Sequence, residues 1–86
     1  MKDITISTGL VVTLDEECFN DIELLEALVS IEKGDISLLP ETLEKIFGED
    51  KKRFYDSMRN EKGRVPIDAV MEEIKGIIST LGHKNF

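Results

Sequence analysis

Short stretches of apolar residues at helical spacing, separated by glycines, constrain this chain more than any other feature. The clearest stretch predicts a helix over about residues 21–33. Asn20, three residues before Glu23, matches a capping box and predicts the N-cap, and Gly34 predicts the C-terminal end. The apolar residues of this stretch are Leu24, Leu25, Leu28 and Ile31.

A second helix is expected almost at once, with Asp35 or Ser37 as its cap. Pro40 is tolerated there only in the first turn, because proline lacks an amide hydrogen. Gly48 is expected to end this helix, and Asp50 to cap a third, short and highly charged one. The second helix has the apolar stripe Leu39, Leu43, Ile46 and Phe47, and the third has Phe54, Tyr55 and Met58.

The last helix is expected to begin with Pro66 at its first position, after a turn at residues 60–63 and an extended Arg64-Val65. Gly82 should close it. Its apolar residues recur at a period of about 3.6. They are Ile67, Val70, Met71, Ile74, Ile77, Ile78 and Leu81.

Before the helices, Ile4 and Ile6 alternate with polar residues, and a β-branched run follows Thr8-Gly9. This pattern predicts a β-hairpin. The fold class is therefore mainly α (α+β), with an N-terminal hairpin followed by four short helices. We expect one compact domain over residues 1–82 and a frayed tail over 83–86.

The net charge is −7 and its distribution is uneven. Residues 1–50 carry 13 acidic and 3 basic side chains, and residues 51–86 carry 5 acidic and 8 basic ones. The overall charge argues against nucleic acid and against an anionic membrane. The asymmetry fits an ordinary solvated surface or a head-to-tail homo-oligomer. Candidate self-association charges are Lys51, Lys52, Arg53, Glu16 and Glu17.

Nothing in the sequence predicts catalysis, a metal or a cofactor. A calcium loop with Gly63 at its sixth position would place Met58 and Ala69 where oxygen ligands belong. His83 has no second His or Cys near it, and Cys18 is the only cysteine. We therefore expect a structural or incidental Cys18 and no enzymatic activity.

Several segments, taken in order, resemble the tail assembly chaperones of siphophages and related prophages. These are residues 21–28 (DIELLEAL), Gly34-Asp35, residues 46–50 (IFGED) and residues 63–66 (GRVP). The resemblance covers roughly residues 20–82. Ile22 departs from the pattern, because relatives often carry an aromatic residue there.

The resemblance implies a non-catalytic assembly factor that binds and solubilises the tape measure protein and helps recruit major tail protein subunits. It also implies a host-cytoplasmic protein that is not part of the mature virion, and for many relatives a longer frameshifted product. We expect the partner to contact some of Leu39, Leu43, Phe47, Phe54, Tyr55, Met58 and Met71, although a core position is the favoured interpretation for the two methionines. The alternative is a small acidic regulator that occupies a nucleic-acid-binding host protein.

Overall fold

An antiparallel β-hairpin opens the fold in the computed structural model, which describes residues 1–81. Strand β1 spans Lys2–Thr5 and strand β2 spans Val11–Leu14, with Ile4 opposite Val12. Gly9 adopts a φ of 90° in the connecting turn, where its amide donates to the Ile6 carbonyl at 2.9 Å. The predicted hairpin is confirmed by the antiparallel pairing, in which Ile4 of β1 and Val12 and Leu14 of β2 are buried.

Four α-helices follow within the described residues, and they confirm the predicted mainly α (α+β) fold class. Helix α1 spans Ile22–Glu32, α2 spans Leu39–Phe47, α3 spans Lys51–Met58 and α4 spans Ile67–Thr80. Residues 1–81 also contain three short 3-10 turns that the sequence did not predict, at Glu16–Phe19 before α1, Ile36–Leu38 before α2 and Gly48–Asp50 before α3. Such turns are too short to leave a periodic signal in the sequence.

The start of α1 differs from the sequence prediction. Asp21 is the N-cap, with an extended backbone and a carboxylate that accepts from the Glu23 amide at 2.9 Å. Asn20 was the wrong choice because its amide already donates to the Glu17 carbonyl at 2.9 Å, closing the preceding 3-10 turn. The chain turns into the helix one residue later than the capping-box pattern indicates.

Two further starting residues are corrected. Asp50 precedes α3 but has a helical backbone and makes no capping bond, because its carboxylate reaches Thr13 on β2 instead. Pro66 lies one residue before α4, with φ −66° and ψ 131°, rather than inside the first turn. Its fixed φ suits an extended residue as well as a helical one, so the sequence pattern could not separate the two.

At α2 the predicted cap is wrong, because Leu38 is its N-cap and makes no side-chain capping bond, while Pro40 and Gly48 lie as predicted. The Asp35 carboxylate accepts from the Ser37 amide at 3.3 Å and caps the 3-10 turn that leads into α2. Pro40 lies in the first turn of α2, and Gly48 ends that helix with a φ of 54°. The predictions for Gly82 and for the tail over 83–86 lie outside the described residues.

One hydrophobic cluster joins the hairpin to the helices. Phe54 is fully buried and stacks on Phe47 with ring centroids 4.3 Å apart. Thr42 is also buried, and its hydroxyl donates to the Leu38 carbonyl at 2.8 Å, which satisfies the polar group inside the core. The buried apolar residues are Ile4, Ile6, Val12, Leu14, Phe19, Leu24, Leu28, Ile31, Leu39, Leu43, Ile46, Phe47, Phe54, Val70, Ile74, Ile77 and Ile78.

Candidate partner-binding surface

Four of the residues predicted to contact a partner belong to the core of the protein itself. Leu39, Leu43, Phe47 and Phe54 are between 0% and 6% exposed. A partner could reach them only if α2 and α3 moved apart, which would open the stacked aromatic pair. In this conformation their role is therefore to hold the domain together.

The other three predicted contact residues keep part of their surface. Tyr55, Met58 and Met71 are half-buried and pack against the core cluster. The Lys51 ammonium lies 5.7 Å from the centroid of the Tyr55 ring, a cation–π distance. These side chains can contribute the edge of a binding surface, but they do not form an exposed apolar face.

An apolar stripe on α1 is exposed instead. Ile22 is 66% exposed and Val29 is 41% exposed, with half-buried Leu25 between them. At about 100° per residue, these positions span roughly 60° of the helix circumference. The core side of the same helix is formed by Leu24, Leu28 and Ile31. Helix α1 is therefore apolar on two sides, and the fold covers only one of them.

A fourth apolar side chain follows α1 closely along the chain. Ile36 is 46% exposed and begins the 3-10 turn after the helix. The chain turns tightly between them, because the Asp35 amide donates back to the Ser30 carbonyl at 3.0 Å. We call the exposed side chains Ile22, Val29 and Ile36, together with half-buried Leu25, the α1 stripe.

The polar side chains around the α1 stripe are mostly acidic. Asp21, Glu23, Glu26 and Glu32 are exposed along α1 and at its start. Glu32 forms an ion pair with Lys75 of α4 at 3.5 Å, and both side chains are about half exposed. A segment bound here would bury apolar side chains beside a negative rim, so basic flanking residues would suit it.

Two of the predicted self-association charges are held within the chain. Lys51 lies 3.0 Å from the Glu44 carboxylate, whose hydrogen bond raises the pKa of Lys51. Arg53 lies 2.9 Å from Asp50. The amide of Thr13 and then Arg53 lower the pKa of the Asp50 carboxyl, because both stabilise its charged form.

The remaining predicted charges are exposed. Lys52 lies on α3, and Glu16 and Glu17 lie in the first 3-10 turn. Within residues 1–81, no hydrogen bond or ion pair holds the side chains of these three residues. Head-to-tail association through them stays a prediction.

Local interactions account for two candidate chemical sites, the turn at Asn60 and the cysteine Cys18. The Asn60 carboxamide oxygen accepts from the amides of Lys62 and Arg64, so a self-contained turn forms where a calcium loop was considered. Burial, and then Asp15 and Asp21, raise the pKa of Cys18 to about 11. In the part of the chain that the structure describes, no three His, Cys, Asp or Glu side chains cluster as metal ligands. His83 lies outside it.

The geometry thus defines a small α+β protein with an uncovered apolar helix face. No protein-family model matches the chain, and no curated protein or solved structure matches it significantly. None of the helices in residues 1–81 has the length and apolar character that a membrane span requires.

Sequence reasoning missed the α1 stripe, although a signal was present. Ile22 and Val29 are seven residues apart and fall outside the Leu24-Leu28-Ile31 pattern that packs inward. Two apolar stripes on one helix indicate either a fully buried helix or one with a second binding face. Only the position of α1 at the surface separates these two cases.

Proposed function

We propose that this chain is a non-catalytic chaperone of the phage tail assembly type, which binds apolar helical segments of a tape measure protein. By the same resemblance it helps recruit major tail protein subunits, acts in the host cytoplasm and leaves before the virion is complete. The exposed α1 stripe is the observation that supports this proposal most directly. A client helix with apolar side chains at matching spacing could lie along it.

The energetics favour reversible binding. Ile22, Val29 and Ile36 are between 41% and 66% exposed. Complete burial of an apolar side chain contributes about 1.5–3 kcal/mol, so each of these would add on the order of 1 kcal/mol. That is too little for a permanent complex at one site. Several copies along a long client would bind through avidity and still be released as the tail polymerises.

The test uses two matched isoleucines. Ile22 is the first residue of α1 and 66% exposed, and Ile67 is the first residue of α4 and 50% exposed. We expect Ile22→Gln, alone or combined with Val29→Gln, to reduce the amount of soluble tape measure protein on co-expression. Ile67→Gln should leave that amount unchanged, since Ile67 is not part of the α1 stripe.

Three outcomes contradict the proposal. The first is a client that stays insoluble at every ratio of the wild-type chain. The second is equal loss of solubilisation in the Ile22→Gln and Ile67→Gln variants, which would exclude the α1 stripe as the site. The third is stoichiometric recovery of a host transcription or repair factor, which would favour the acidic regulator instead.

A further inference from the structure

The two free edges of the hairpin differ in how their backbone groups are satisfied. On β2, the Thr13 amide donates to the Asp50 carboxylate at 3.3 Å, and the Val11 carbonyl accepts from Arg53 at 3.4 Å. Both side chains come from the segment that opens α3. The edge of β2 is therefore closed by hydrogen bonds within the chain.

The pairing pattern shows which groups of β1 face outward. Ile6 donates to the Leu10 carbonyl at 3.0 Å, and Ile4 is paired with Val12. Because backbone groups alternate in direction along a strand, the amides and carbonyls of Asp3 and Thr5 point away from β2. The next outward amide belongs to Ser7.

Along the outer edge of β1, the end at Ser7 is hydrogen-bonded to another element of the fold. The Ser7 amide donates to the Glu73 carboxylate of α4 at 2.8 Å, and the Ser7 hydroxyl contacts the same oxygen. Asp3 and Thr5 are exposed, and no residue within 1–81 accepts a hydrogen bond from their outward amides. The outward backbone groups of Asp3 and Thr5 thus form an unpaired strand edge, which is a template for another strand.

We propose that the free edge of β1 pairs with β1 of a second copy of this chain. The strands run antiparallel about a two-fold axis at Ile4 and form one four-stranded sheet. Asp3 then lies opposite Thr5 of the partner subunit, and Thr5 lies opposite Asp3 of the partner subunit. Each pair exchanges two backbone hydrogen bonds, so all outward groups of both residues are satisfied.

Three features of this arrangement favour a second copy over an unrelated strand. The pairing is self-complementary, as a two-fold interface requires. Asp3 faces a threonine of the partner subunit rather than another Asp3, so like charges are not directly opposed. The occupied Ser7 amide also limits the ladder to a short length, which suits a strand of only four residues. A two-stranded sheet gains stability from added strands.

Salt dependence separates this dimer from the charge-driven association that the sequence suggested. Each chain carries a net charge of −7, so the two copies repel each other. Screening of that repulsion should make the β1-paired dimer tighter as salt is added. Association through ion pairs, such as Lys52 with Glu16 or Glu17, should instead weaken as salt is added.

The first experiment is sedimentation equilibrium of wild type, Thr5→Pro and Thr5→Val over a wide concentration range. Proline at position 5 removes an outward amide that β2 does not use, so the hairpin can survive. We expect wild type and Thr5→Val to dimerise, more tightly in added salt. Thr5→Pro should raise the dissociation constant roughly tenfold or more, because the symmetric dimer loses two hydrogen bonds.

The second experiment tests the register and covers the case in which Thr5→Pro fails to fold. Asp3→Cys and Thr5→Cys chains are oxidised separately and as a mixture. Directly opposite residues have Cα atoms about 5.5 Å apart, within reach of a disulfide, whereas the diagonal pairs in each separate sample are not. The mixture should therefore yield a covalent dimer that neither single variant nor wild type yields.

A wild-type chain that stays monomeric at all concentrations would overturn the proposal. So would a folded Thr5→Pro variant that dimerises like wild type, or cross-linking in each single variant but not in the mixture. Capture of an extended peptide of another protein on β1, without any dimer, would identify a different occupant. The α1 stripe is unchanged in these variants, so client solubilisation remains an independent measurement.

Discussion

The replacement Phe54→Ala separates the core interpretation of this residue from the partner-binding one. Phe54 has no exposed surface, lies 4.3 Å from the Phe47 ring and contacts the Tyr55 ring at 6.3 Å between centroids. Truncation of a buried phenylalanine costs about 3–5 kcal/mol. Of this, each lost aromatic pair accounts for about 0.5–1.5 kcal/mol.

That loss is large for a chain of this length. At about 0.05–0.15 kcal/mol per residue, the whole domain has a free energy of unfolding of roughly 4–13 kcal/mol. Urea denaturation followed by circular dichroism should show Phe54→Ala to be less stable by about 3 kcal/mol or more, or unfolded already in buffer. The control Ile67→Ala, at a half-exposed position, should change stability by less than about 0.5 kcal/mol.

The opposite pattern would refute this reasoning. If Phe54→Ala unfolds within about 1 kcal/mol of wild type but no longer solubilises the client, the ring is part of a binding surface and not of the core. The stacked arrangement with Phe47 would then not represent the state that binds.

Three further outcomes are expected. Because Thr13 and Arg53 lower the pKa of Asp50, the Asp50 carboxylate stabilises the fold fully above the usual aspartate pKa, and this stabilisation is lost as the pH falls through the lowered pKa. In urea titrations, Asp50→Asn should therefore be less stable than wild type at pH 7 and should approach wild-type stability in acid. Gly76→Ala in α4 should stabilise by about 0.5–1 kcal/mol, whereas Gly63→Ala, at a φ of 76°, should destabilise by about 1–2 kcal/mol in thermal melts. Because the pKa of Cys18 is raised to about 11 in the fold, the folded protein should react with a thiol reagent at pH 8 roughly a hundredfold more slowly than the protein unfolded in urea. Equal rates in the two states would refute the burial of this thiol.

Local sequence signals were sufficient for the hairpin and the four α-helices, but not for the three 3-10 turns. The apolar period identifies α1 and α4, and alternation around Thr8-Gly9 identifies the hairpin. Errors at helix starts were small and have local causes. Asn20 and Asp21 are adjacent residues that both favour capping, so composition alone could not choose between them.

The position of the candidate site could not be obtained in the same way. Phe54 and Ile22 are both large apolar residues on short helices, yet the first is fully buried and the second is 66% exposed. The difference arises from contacts between distant parts of the chain. A helical pattern indicates how wide an apolar face is, but not which part of it another element will cover.

The sequence by itself determined the hairpin and the α-helices of this protein, because the period of apolar residues and the turn residues act over a few positions. Tertiary structure alone decided which surfaces remain open. Asp50 closes the edge of β2 from a position 37 residues away along the chain, while the edge of β1 at Asp3 and Thr5 stays unpaired. Such choices depend on the packing of whole elements, and no local pattern encodes them.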